Sequence, residues 1–133
     1  MNHFEKVKGY LVDLGHEIIN EYPDDSMFVI QNEDRGINGM ILDCEENLLI
    51  IEQKVLEVKV EEEDLYRKLL QANRNLVFGA FVLDDAGKTL IFRNTLELEN
   101  LDLNELESTL NALSIGLVET MDLLMAIAGE KGK

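Results

Sequence analysis

The residues of this 133-residue chain that could carry chemistry are scattered, and their spacing assembles no known reaction. His3 and His16 flank a helical pattern, and without a cysteine or a spaced carboxylate beside them they make a poor zinc site. Ser26, Ser108 and Ser114 lack both a G-x-S-x-G elbow and a neighbouring base, so nucleophilic catalysis has no motif. Cys44 is the single cysteine; no internal disulfide can form, which excludes a disulfide-built secreted scaffold. Within the strand-like run Leu42-Asp43-Cys44 it reads as a small buried apolar residue. The acidic groups Asp24-Asp25, Glu33-Asp34, Glu45-Glu46, Glu61-Glu62-Glu63 and Asp84-Asp85 offer oxygens suited to Ca²⁺ or Mg²⁺. None has the D-x-D-x-D-G spacing of a calcium loop, and each falls where a solvated turn or helix start is expected. A glycosidase-like carboxylate pair could be drawn from any two of 27 acids, and that abundance empties the signal. The sequence therefore predicts no catalytic residue, no cofactor-binding residue and no metal ligand: a protein that is not an enzyme.

Arg93 and Asn94 are the most suggestive polar pair, adjacent near the end of a strand pattern. A guanidinium fork suits a peptide or carboxylate ligand, which makes them a candidate polar binding feature. The competing structural reading has Arg93 pairing with nearby acids and Asn94 closing backbone groups at the strand end, and it is preferred because structural ion pairs are common. Asn73-Arg74-Asn75 closes a helix pattern, where capping accounts for all three.

Charge and composition narrow the partners. Twenty-seven acids against 12 bases give a formal charge of -15, a field that repels nucleic-acid phosphates and anionic lipid surfaces. Neither nucleic acid nor membrane is expected as a partner. The start MNHFEKVKGY has no long apolar stretch and carries Glu5 early, unlike a signal peptide. Glu119 and Asp122 interrupt the most apolar C-terminal run. A cytoplasmic protein is expected. At 46% hydrophobic and 29% charged residues the chain is globular in composition, and its length suits a single domain over 1–133.

The elements that must position these residues follow from periodicity. Phe4, Val7, Leu11 and Leu14 predict a helix over Asn2–Leu14 with Gly15 at its C-cap. Strands are predicted over Glu17–Tyr22, Met27–Gln31, Asn38–Cys44 and Asn47–Val60, separated by polar turns such as Pro23-Asp24-Asp25-Ser26. Leu48-Leu49-Ile50-Ile51 is apolar at both parities, so that stretch is expected to be covered on both faces. A helix over Glu61–Asn75 carries the stripe Leu65, Leu69 and Leu76. Val77–Leu83 and Thr89–Glu97 form a hairpin around Asp84-Asp85-Ala86-Gly87-Lys88. Asp102 and Glu105 mark the start of a long last helix, striped by Leu106, Leu110, Leu113, Leu117, Met121 and Leu124, with Gly129–Lys133 as a frayed tail. Ile115, Val118 and Met125 lie off that stripe. This second apolar patch needs another surface, either a partner subunit or the first helix.

Three runs carry a family resemblance: Leu69-Leu70-Gln71-Ala72-Asn73-Arg74-Asn75, Phe78-Gly79-Ala80-Phe81-Val82-Leu83-Asp84, and Phe92-Arg93-Asn94-Thr95-Leu96 continuing through Leu98–Leu106. With them the chain resembles the YbjN-like family, also called Tir-chaperone-like after the type III secretion chaperone fold. The resemblance implies an α+β domain, an antiparallel sheet with helices packed on it in the order α-β-β-β-α-β-β-α, commonly dimeric and without a known active site. Here one extra short strand, Glu17–Tyr22, follows the first helix. It implies no catalytic residues and no cofactor. The wider chaperone group, similar in element order, size and acidity, binds extended client segments on apolar patches.

The expected function is accordingly a non-enzymatic protein-binding role, chaperone-like or regulatory. A homodimer contact is expected at Ile115, Val118 and Met125, and a client protein or peptide on exposed sheet surface or edge strands. The alternative is a small-molecule-sensing domain with a pocket between the last helix and the sheet. The Phe78–Leu106 stretch itself reads as architecture.

Overall fold

The first helix, α1 (His3–Asp13), begins where Asn2 caps it: Asn2 Oδ1 accepts the Glu5 N–H at 2.8 Å, satisfying one of the free donors of a first turn. Phe4, Val7 and Leu11 bury its apolar stripe, and Gly15, at φ +79°, turns the chain out of the helix. The computed structural model describes residues 2–58 and 63–131, with side chains over 2–58 and 64–124. Four strands follow α1: β1 (Glu17–Tyr22), β2 (Met27–Asn32), β3 (Ile37–Glu45) and β4 (Leu48–Glu57). Then come α2 (Glu63–Asn75), the hairpin β5 (Ala80–Leu83) and β6 (Thr89–Glu97), and the long α3 (Leu103–Lys131). The extra strand β1 is present, and the remaining order is the expected α-β-β-β-α-β-β-α.

All six strands form one antiparallel sheet in the order β1-β2-β3-β4-β6-β5. Strand alternation sends Phe28, Ile30, Leu42, Leu49, Ile51 and Phe92 to one buried face, and the helices lie on it. Phe4 of α1 stacks on Phe28 with ring centroids 4.3 Å apart. The α3 stripe Leu106, Leu110, Leu113, Leu117 and Leu124 is buried, and Gly116 lets the helix approach Phe92, since a Cβ there would stand 3.1 Å from the ring. Tyr10 Oη and Lys6 Nζ of α1 donate to the carbonyls of Leu101 and Leu98 at 3.2 and 3.1 Å. These bonds tie α1 to the segment that leads into α3.

Asp102 starts α3 as its sequence position predicts, with Oδ1 accepting the Glu105 N–H at 2.7 Å. Asp84 Oδ1 accepts the N–H groups of Lys88 and Thr89 at 2.8 and 3.1 Å and Gly87 sits at φ +70°, which together close the β5–β6 hairpin.

Four expectations are corrected. Leu49 and Ile51 are buried, but Leu48 is 42% exposed and Ile50 half-buried, so Leu48–Ile51 is covered on one face only. Among the described residues no helix packs over the other face. Met121 leaves the buried stripe of α3 and is exposed, because it borders an open cleft rather than the packed core. The helix runs to Lys131, past the Gly129 at which periodicity ends it. In β4 the register shifts between Lys54 and Leu56, making Val55 a bulge residue, and the described strand spans Leu48–Glu57 where periodicity predicts Asn47–Val60.

Candidate protein-binding surfaces

Four surfaces stand apart from the core: the two edges of the sheet, its uncovered face, and the flank of α3. The edges are finished differently. At β5 the Asn73 side chain, from the last turn of α2, makes two hydrogen bonds to one residue. Asn73 Oδ1 accepts the Phe81 N–H at 2.7 Å, and Nδ2 donates to the Phe81 carbonyl at 3.3 Å. The N–H and C=O of one strand residue point the same way, so both are groups that face away from β6. A side-chain amide stands here in place of a seventh strand. Asn73 is therefore not the helix cap that its position in Asn73-Arg74-Asn75 predicts.

The outer edge of β1 has no such cover. Among the described residues no side chain or backbone group bonds to its outward amides or carbonyls. Ile19 and Tyr22 are 39% and 42% exposed along it, and Lys8 of α1 reaches only the Glu21 carboxylate, at 2.9 Å.

On the uncovered face, Arg93 lies beside Glu52 across the β4–β6 pair, Nη1 to Oε1 at 3.9 Å, a solvent-screened pair of little energetic weight. Asn94 points to the opposite, helix-covered side, where its Oδ1 accepts the Gly79 N–H at 3.1 Å. The structure thus does not bring Arg93 and Asn94 together.

Along α3, Ile115, Val118 and Met121 are 60%, 53% and 49% exposed. The side chain of Met125 lies outside the described residues. Val118 and Met121 overlook a cleft of about 390 Å³ against Gly36, Asn38, Gln53 and Val55. Gln53 is spent on architecture there: its Oε1 accepts the Asn38 N–H at 3.0 Å and its Nε2 donates to the Gly36 carbonyl at 3.2 Å. Ser114 and Arg35 add contacts that hold the Glu33–Arg35 turn to α3, through the Arg35 carbonyl and the Asn111 amide.

The titratable groups with shifted behaviour suit structure better than catalysis. Burial, aided by the Asp43 charge, pushes the Cys44 thiol up to about 11, which keeps it protonated and a weak nucleophile at neutral pH. Backbone hydrogen bonds from Thr89 and Lys88 hold the Asp84 carboxyl below the usual range. Burial, and then the charge of Arg35, lowers the His16 imidazole, whose Nδ1 has no partner. No group of three or more His, Cys, Asp or Glu among the described residues is arranged to hold a metal ion. No described helix is long and apolar enough to cross a membrane.

The CesT_Tir_1 family model matches residues 1–130. The chain belongs to the Tir chaperone family. No curated protein matches the sequence. This family member shares its fold with the crystal structure of YbjN from E. coli at a TM-score of 0.70 and 14% identity, covering 91% of this chain and 92% of that one. It is similar to the Yersinia pestis type III secretion chaperone SycH, solved with a stable fragment of YscM2, at a TM-score of 0.60 and 16% identity over 89% and 98% of the two chains. The HopA1–SchA chaperone–effector complex matches at a TM-score of 0.60 and 16% identity over 90% and 91%. Identities this low carry the fold and nothing finer.

Sequence reasoning found β1 as a strand but not its open outer edge, because pairing order is a tertiary property. The exposed pair Ile19 and Tyr22 carried a local signal, an apolar residue and an aromatic beside the acids Glu17 and Glu21 of the same strand.

Proposed function

We propose that the protein is a non-enzymatic, chaperone-like binder of other proteins that receives an extended client segment along β1. The observation that carries this reading is the unequal finish of the two sheet edges. An unpaired strand edge is a template for another chain, and β-augmentation uses it for affinity, with side-chain pockets adding specificity. The structural relatives solved with a YscM2 fragment and with an effector support a polypeptide as partner. Extended segments selected from a displayed peptide library test the reading. Their affinity falls at least about tenfold in the double variant Ile19→Lys/Tyr22→Lys, which puts charge on the β1 edge. Unchanged affinity in that variant removes β1 as the docking edge.

The reading includes a homodimer joined through Ile115, Val118 and Met125 on α3. The exposure of Ile115 and Val118 in the single chain supports it, since apolar residues on an otherwise polar helix flank mark an interface. Sedimentation equilibrium shows a dimer that Ile115→Asp/Val118→Asp converts to monomer; a wild-type monomer at high concentration refutes the dimer.

The α3 cleft favours a second reading, a regulatory domain that senses a small apolar molecule between Val118, Met121 and the sheet. Thermal-shift screening with apolar ligands separates the two readings, with Met121→Trp filling the cleft and abolishing any shift.

A further inference from the structure

The uncovered face of the sheet has an ordered composition. Cross-strand neighbours run Asn20–Val29–Ile41–Glu52–Arg93 in one row and Tyr22–Met27–Asp43–Ile50–Thr95 in the next. Val29, Ile41 and Ile50 are thus contiguous, and none belongs to the core or packs against it. An apolar centre on an open sheet marks a surface that gains by being covered.

The charges around it say by what. Among the described residues both cations of this face are engaged, Arg93 with Glu52 at 3.9 Å and Lys54 with Glu57 at 3.0 Å. Asp43 has no cation among the described residues. Burial raises its carboxyl above the usual range, and the acids Glu45, Asp25 and Glu52 raise it further.

A second copy would bring an identical acidic row onto this one, with -15 formal charges on each chain, and like charges across an interface oppose docking. A neutral apolar segment would cover Val29, Ile41 and Ile50 but bury Asp43 with another acid, Glu45, as its hydrogen-bond partner and no counter-ion, which is costly. A cationic segment covers the apolar centre and relieves the crowding of acids in one step.

We propose that this face docks a lysine- or arginine-bearing amphipathic segment of an unfolded partner, its apolar side chains on Val29, Ile41 and Ile50 and a cationic head group at Asp43. The inference rests on the client-binding reading above and specifies the chemistry of the client.

Three synthetic probes test it: peptides of the same length alternating valine with arginine, with serine, or with glutamate, titrated into ¹⁵N-labelled protein at low ionic strength. The arginine peptide shifts the amide resonances of Val29, Ile41 and Ile50 and binds at least about tenfold tighter than the serine peptide, an advantage that shrinks as salt is added. Asp43→Asn/Glu45→Gln removes most of that advantage, and Ile41→Ser weakens the arginine peptide while leaving the fold intact. Equal binding of the arginine and serine peptides, or shifts confined to β1 or α3, overturns the inference. If library-selected segments bind at β1 while these probes show no preference for charge, only the inference falls. If no extended segment binds anywhere, the client reading falls with it.

Discussion

The two edges of the sheet pose the same physical problem and receive opposite treatments. Outward amides and carbonyls of an edge strand must be met by water, by the protein or by another chain. At β5 the protein meets them itself, through Asn73 on Phe81. At β1 it leaves them open and sets Ile19 and Tyr22 beside them. If edge protection were only a defence against aggregation, both ends would need it. Among the described residues the side-chain amide at β5 has no counterpart at β1, where a bulge at Ile19 is the one interruption of an open, directional row of donors and acceptors.

The largest break in this comparison comes from Gly79, which leads into β5. It holds φ +81°, and a Cβ there would lie 1.8 Å from the Phe92 ring, so both backbone and packing forbid a side chain. Gly79→Ala costs about 3 kcal/mol, read as a lower urea midpoint with an unchanged slope. A loss under about 1 kcal/mol would mean that Phe92 can move aside and that the closed end is softer than it looks.

Asn73→Ala comes next, removing both bonds to Phe81 at about 2 kcal/mol. It also opens the second edge, so the variant self-associates on gentle heating at concentrations where the wild type does not. Light scattering reports this, and scattering equal to wild type would show that α2 blocks the edge by bulk alone.

The smallest effect lies at the other end. His16 immediately precedes β1, is 7% exposed, and leaves Nδ1 without a partner. Its imidazole is lowered by burial first and by Arg35 second. The folded chain therefore binds this proton less readily than the unfolded chain. Stability from neutral His16 is intact above the ordinary value of about 6.5 and is lost as pH falls through it, until the lowered folded value is passed. Amide exchange, corrected for its intrinsic pH dependence, should quicken in β1 and β2 more than in β5 and β6 between pH 7 and 5. His16→Leu removes the difference. Equal acid sensitivity at both ends would detach His16 from the β1 edge.

Much of this architecture is legible in the residues. Thr89–Glu97 emerges with the predicted bounds because alternation, a turn glycine and a preceding strand agree there. The Asp102 start of α3 is a local rule obeyed locally. What was hidden is non-local. The runs around Asn73, Gly79 and Asn94 that carry the family resemblance share a spatial cause, the fastening of β5, but the partner of each sits 8 or 15 residues away. Leu48–Ile51 announces two apolar sides without saying that only one is covered. Met121 fits the buried period and still faces the cleft, since the width of a helix stripe is set by what packs against it.

The strand order has a consequence for how the molecule is made. Strands β1 to β4 are consecutive neighbours, whereas β4 meets β6 only after α2 and β5 have been passed over. Contacts close in sequence form early and at low entropic expense, so a growing chain can assemble the first four strands while α3 is still unsynthesised. During that interval α1 is already made, but the buried leucine stripe of α3 is not yet there to cover the rest of that face. For part of its own synthesis this family member therefore exposes the apolar sheet surface that its finished fold conceals.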